Sequence, residues 1–206
     1  MRVAMLVLLL FPSAYAQFGA NATVTSDYYW RGISQTDENP ALQLELDWHS
    51  QTGVYTGIWT SNVDFGDETD FEVDFWLGYK RAYDSGFSWD LGYVYYTFEG
   101  SAAMEFGEAY LGLNFKGFEI KYSIDPDHEN AYSESSYTHE FGKRWHASAR
   151  AGHYDFDVAG DYTDWAFLLG HAFKVFDVEL AYMDTNIDDP PAVADARVVL
   201  SLSKSW

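Results

Sequence analysis

From Phe18 onward the chain alternates apolar and polar residues with a period of two. Leu42, Leu44, Leu46 and Trp48 alternate with Gln43, Glu45, Asp47 and His49. Phe71, Val73, Phe75, Leu77 and Tyr79 alternate with Glu72, Asp74, Trp76 and Gly78. The pattern recurs over residues 87–96, 118–125, 176–183 and 196–203, and more weakly over 19–31, 54–63, 106–116, 132–141, 145–155 and 162–173. Successive side chains of a strand point to opposite faces, so each stretch predicts a strand with one apolar and one polar face. The total is about twelve strands, an even number, each near the ten or so residues that a tilted strand needs to cross a bilayer. The expected fold is all-β: one closed antiparallel transmembrane β-barrel, built as an up-and-down meander.

The connections alternate in length. Short ones fall at 51–53, 83–86, 116–117, 142–144 and 174–175, and longer ones at 32–40, 64–70, 99–105, 125–131, 157–161 and 185–195. Outer-membrane barrels place short turns in the periplasm and long loops outside, and an even strand count brings both termini to the periplasmic side. Aromatic residues bracket the short turns: Trp48 and Tyr55, Tyr79 and Phe87, Phe115 and Phe118, Phe141 and Trp145, Phe173 and Phe176. Rings at one height predict an interfacial girdle. Trp206 closes the last strand and is similar to the C-terminal aromatic that the barrel-assembly machinery reads.

The first sixteen residues break the pattern. Met1-Arg2 is a positive start, Val3 to Phe11 is apolar, and Ala14-Tyr15-Ala16 precedes Gln17 in a small-x-small arrangement. This reads as a secretory signal peptide over 1–16, cleaved between Ala16 and Gln17, with a barrel over 17–206. The localisation expected from it is the bacterial outer membrane, reached through the periplasm. With no cysteine in the chain, an exported fold here has no disulfide to lean on. Aromatic residues make up 19% of the chain, more than a soluble domain needs, and mean hydropathy is −0.26, a value that barrel strands reach because only alternate residues meet lipid. A net charge of −20 excludes nucleic acid as a natural partner.

Charge is sorted along the barrel axis. Lys80, Arg81, Lys116, Lys143, Arg144, Lys174 and Lys204 gather near the short turns, and acids crowd the long loops. Those loops are either a negative mouth that concentrates cations or a surface bridged by loosely bound divalent cations to lipopolysaccharide. The polar face points Asp27, Glu45, Asp47, Glu72, Asp74, Asp90, Glu108, Glu119, Asp164, Asp177 and Glu179 into the lumen, opposed by Arg31, Lys80, Lys116, Lys121, Arg150 and Arg197. So many carboxylates require water, bases or cations among them. Two interiors satisfy this: a wet, cation-favouring pore, or a side-chain-filled barrel with closed ion-pair networks.

Catalytic signals are weak. His146-Ala147-Ser148 could serve lipid hydrolysis only if it faced lipid, and its parity turns it inward. The other histidines lack metal-ligand spacing. Asp125-Pro126-Asp127-His128-Glu129 alternates acids like a calcium loop but lacks the turn glycine and the twelfth-position glutamate. No enzyme and no resident cofactor is expected.

Residues 24–37 read Val-Thr-Ser-Asp-Tyr-Tyr-Trp-Arg-Gly-Ile-Ser-Gln-Thr-Asp, followed by Asn39-Pro40-Ala41 and by Gly53 to Phe65 with Trp59, Ser61, Asn62, Val63 and Asp64. Together with Glu72, Asp74, Gly78 and Tyr79 these resemble the N-terminal third of the TorF-family porins; Tyr29 and Thr60 depart from that pattern. The resemblance implies an outer-membrane barrel with a porin role, and transfers no substrate or functional residue. The expected function is passive diffusion of small hydrophilic solutes with cation preference. The alternative is a non-conducting structural barrel, or one that binds a ligand or divalent ions. Arg31 is expected to pair with acids of neighbouring strands and narrow the lumen, or simply to fix the first loop.

Overall fold

The computed structural model describes residues 17–156, 160–188 and 191–206. The leader expected over 1–16, and with it Ala16, lies outside the described residues, as do 157–159 and 189–190 within the last two long loops.

Twelve strands among the described residues close into an antiparallel barrel: β1 (Gln17–Thr25), β4 (Ala41–His49), β5 (Val54–Asn62), β6 (Phe71–Ala82), β7 (Phe87–Phe98), β8 (Phe106–Phe115), β9 (Phe118–Asp125), β10 (Asn130–Phe141), β11 (Trp145–Asp155), β12 (Tyr162–Ala172), β13 (Asp177–Thr185) and β14 (Arg197–Ser205). Each pairs with its sequence neighbours, and β1 closes the ring on β14 with Asn21 opposite Ser205 and Thr25 opposite Ser201. Closure satisfies every strand edge, which an apolar solvent demands. Among the described residues no helix is long and apolar enough to cross a membrane.

The alternation sorts the side chains as its period dictates. Leu42, Leu44 and Leu46 of β4, Phe75 and Leu77 of β6, and Val198, Leu200 and Leu202 of β14 stand exposed on the outside. A continuous apolar exterior of this size calls for lipid rather than water. At the short-turn end, outward rings run side by side: Phe118 with Tyr137, then Tyr137, His139, Phe141, Trp145, His171, Phe173 and Phe176 in successive contacts with centroids 4.3 to 6.4 Å apart. One expected girdle position changes and two histidines join the belt. Tyr55 is inside, 7% exposed, because its ring lies across the lumen face of Gly78, its register partner on β6. Histidines 139 and 171 take part in the belt.

The first strand is shorter than the alternation suggests. β1 ends at Thr25, and 26–40 turns inward instead of continuing the wall. Within it β2 (Tyr29–Trp30) and β3 (Ile33–Ser34) pair as a small hairpin, with Tyr29 opposite Ser34 and Trp30 opposite Ile33. Its two turn residues, Arg31 and Gly32, have φ of 49° and 83°. That is the doubly left-handed turn whose twist suits a two-residue hairpin, and Gly is the residue that tolerates it best. A Cβ on Gly32 would come within 2.5 Å of Thr185 Cγ2 and 2.8 Å of Asp164 Cβ, so the turn is pressed against the barrel wall. Asp27 and Arg31 therefore do not share a strand face.

Candidate functional site

The hairpin tip fills the long-loop end of the lumen. Arg31 is 7% exposed and holds Glu108 of β8 in a two-pronged salt bridge, Nη1 to Oε1 at 2.7 Å and Nη2 to Oε2 at 2.6 Å. Its guanidinium stacks 4.2 Å from the Trp30 ring, 4.2 Å from Tyr132 and 4.8 Å from Tyr154. Planar, weakly hydrated Arg suits both contacts. The Tyr162 hydroxyl donates to the Arg31 carbonyl at 3.0 Å. Burial pulls the Arg31 pKa down, but the Glu108 hydrogen bonds and charge outweigh it, and the group sits above its ordinary value. The partner comes from across the barrel rather than from a strand next to β1.

Two more networks surround this tip. Arg150 of β11 donates to Asp164 at 2.7 Å, Glu134 at 3.0 Å and the Tyr132 hydroxyl at 3.2 Å, while Tyr132 donates to Asp164 at 2.8 Å. Asp27 accepts from Ser34 at 2.6 Å and from Arg197 at 3.1 Å, and Arg197 reaches Glu38 at 2.9 Å. The structure thus brings Asp27, Arg31, Glu108, Arg150, Asp164 and Arg197 into closed pairs at one end. Glu72 and Asp74 of β6 lie in the same tier, 3% and 8% exposed, and among the described residues neither has a paired base.

The short-turn half is different. Glu45, Asp47, Asp90, Glu119 and Glu179 are only partly buried on the inner face, and Asp177 is exposed at the rim. Asp90 accepts from the Tyr55 hydroxyl at 2.5 Å, and Tyr55 also meets Tyr110. Lys121 lies 4.3 Å over Tyr110. One expected lumen base is not there: Lys116 sits in a turn with φ 51°, its ammonium 5.0 Å from the Phe115 ring, whereas Lys80 keeps the inward parity of β6 opposite Asp90 but is exposed near the end of the strand. His146 lies against Gly170 and 3.5 Å from Glu179. In the Asp125–Glu129 segment the Asp125 carboxylate is consumed locally, accepting from the backbone of Asp127 and His128 at 3.0 and 3.3 Å and meeting His128 Nδ1 at 2.7 Å. Among the described residues no group of three acids, histidines or cysteines is placed to hold a metal.

Sequence reasoning missed the inward tyrosines 55, 110, 132 and 154. For Tyr110, Tyr132 and Tyr154 the signal was present, since they share the polar parity of Glu108, Glu134 and Arg150; Tyr55 shares its face with Gly57, Trp59 and Ser61, which carries no such signal. A cavity of about 830 Å³ opens beside the hairpin, lined by Trp30, Phe106, Tyr154, Phe156 and Tyr162, with Asp125, Asp161 and Asp188 among its walls.

The family model described as a bacterial protein of unknown function (Gcw_chp) matches residues 11–206. The chain belongs to that family. A comparison of its sequence with curated proteins gives no match. The Gcw_chp barrel is similar in fold to solved porins. A KdgM porin matches with TM-score 0.67 at 9% identity, over 91% of this chain and 99% of that one. A NanC porin matches with TM-score 0.60 at 12% identity, over 92% and 98%. The outer membrane protein Omp33 of Acinetobacter baumannii matches with TM-score 0.56 at 8% identity, over 92% and 97%. At these identities the likeness is one of fold.

Proposed function

We propose that this Gcw_chp protein is an outer-membrane, porin-like channel for passive diffusion of small hydrophilic solutes, with a preference for cations. The observation that carries the proposal is the imbalance of the inner wall. Arg31, Arg150 and Arg197 are consumed in ion pairs, while among the described residues half-buried Glu45 and Glu119 have no paired base, and Asp47 and Glu179 meet only histidines, His49 at 2.9 Å and His146 at 3.5 Å. Surplus carboxylate facing a water-filled lumen draws cations and repels anions. The TorF-like segment and the porin folds support the same reading. KdgM porin is known in complex with oligogalacturonate; such a polyanion is a poor match to this acidic lumen. The acidic loops would hold divalent ions loosely, bridging to lipopolysaccharide, and the strand ending at Trp206 would engage the barrel-assembly machinery.

A second reading has its own support. The hairpin at 29–34 buries Arg31 in the mouth, as expected of a barrel that binds rather than conducts. Single-channel recording in planar bilayers under a potassium chloride gradient separates the two. The channel reading expects discrete conductance steps and a reversal potential displaced toward that of potassium. Silence, or displacement toward chloride, sinks it.

A further inference from the structure

Most buried lumen acids have a basic partner in the structure. Glu72 and Asp74 depart from that arrangement: Glu72 meets the Tyr28 hydroxyl and Asp74, but among the described residues neither acid has a base. They stand two residues apart on one face of β6, at 3% and 8% exposure, and Glu72 Oε2 and Asp74 Oδ1 are buried with no hydrogen-bond partner. Two buried carboxyl groups in contact, each with one oxygen unpaired and no base beside them, are costly enough that something must neutralise them. Glu72 also forms part of the wall of a chamber of about 170 Å³, whose other walls include Trp30, Phe65, Phe98 and Phe106. One water needs only about 10–15 Å³, so the chamber takes a larger guest. Four aromatic rings around one carboxylate fit a soft organic cation. The ring faces attract the positive charge and the alkyl groups pack against them, while a hard metal ion wants an oxygen cage. Trp30, Gln35, Met104 and Phe106 are shared with the 830 Å³ cavity that opens beside the hairpin, so the chamber has an apolar approach.

We propose that Glu72, backed by Asp74 and enclosed by Trp30, Phe65, Phe98 and Phe106, binds the ammonium headgroup of a small organic cation. The guest enters through the aromatic cavity and stops with its charge at the Glu72 carboxylate. Tyr28, held protonated by burial and by the charges of Glu72 and Asp74, donates to Glu72 from outside the chamber. This goes beyond the channel reading and holds whether or not the barrel conducts.

The test is equilibrium binding to folded, detergent-solubilised protein, read by calorimetry and by tryptophan fluorescence. Choline and tetramethylammonium are the probes, with 3,3-dimethylbutan-1-ol as the uncharged mimic of choline. Saturable choline binding is expected, with the alcohol weaker by on the order of tenfold or more. Glu72→Gln should lose a similar factor, and Trp30→Ala and Phe106→Ala should each weaken choline. Folding of every variant is checked by heat-shifted gel mobility, and the choline–alcohol comparison on the unaltered protein stands if a variant fails to fold. Equal binding of choline and the alcohol overturns the proposal. So does binding of sodium or calcium alone with indifference to Trp30→Ala, which makes this an inorganic-cation site. Absence of binding by every cation also overturns it and leaves a pair neutralised by protons and water.

Discussion

Arg31 concentrates the energetics of the mouth in one side chain. It occupies a left-handed backbone position, which costs a β-carbon-bearing residue strain. Against that stand two short charge-assisted bonds to Glu108 and three aromatic faces. Removing one partner of such a buried pair leaves the other charged and unsolvated, a loss of about 3–5 kcal/mol, whereas removing both restores much of it. Arg31→Ala should therefore lower stability by that order in urea unfolding of the detergent-solubilised barrel, and Arg31→Ala with Glu108→Ala should lose distinctly less. Equal losses in the single and double variants would mean the pair is not the source. Alternation put Arg31 on the inner face of a wall strand, but it lies inside because the segment after Thr25 folds into the lumen. Its partner was not legible, because Glu108 is 77 residues away and meets it only once the ring has closed.

At the scale of elements, the hairpin formed by β2 and β3 decides how open the mouth is. It is held by its tip, by packing of Trp30 and Ile33 against the Tyr132, Tyr154 and Tyr162 cluster, and by the Asp27–Arg197 pair at its base. The wall strands make no use of it: β1 pairs with β4 from Gln17 opposite His49 to Thr25 opposite Ala41 without its help. Replacing residues 29–34 by a Gly-Ser linker should leave a folded barrel and raise single-channel conductance several-fold. Unchanged conductance, with folding verified, would show that the hairpin does not restrict the path. Period-two reading merged this segment with the first strand, since Asp27, Tyr29 and Arg31 continue the alternation. The two consecutive residues of positive φ at Arg31-Gly32 end it, and Arg-Gly is not a dipeptide that marks such a turn as strongly as Asn-Gly or Asp-Gly.

The whole molecule turns inside out the usual rule of a soluble protein. Its large apolar side chains, such as Phe75, Leu77 and Leu202, face outward, and its charged groups face inward. Stability then rests on the closed ladder of twelve strands, which in lipid has no competing water to hydrogen-bond with. The unheated protein should migrate on a detergent gel at a mobility different from that of the boiled chain, as a closed barrel resists the detergent. Identical mobility of both samples would contradict closure. Deleting Trp206, which is exposed at the chain end, should slow assembly into vesicles containing the assembly machinery while leaving detergent-refolded material closed.

The sequence by itself determined the wall: how many strands there are, which face of each meets lipid, and where short turns and long loops alternate. Those features depend on side chains two residues apart, and strand geometry fixes their relation without reference to any other part of the chain. The tertiary structure decided what meets across the lumen. Arg31 finds Glu108, Arg150 gathers Glu134 and Asp164, Tyr55 turns inward over Gly78, and Glu72 and Asp74 are left without a base. Each depends on closure and on the inward fold of one loop. Alternation can say that a side chain points inward, but the ring must close before it has a partner.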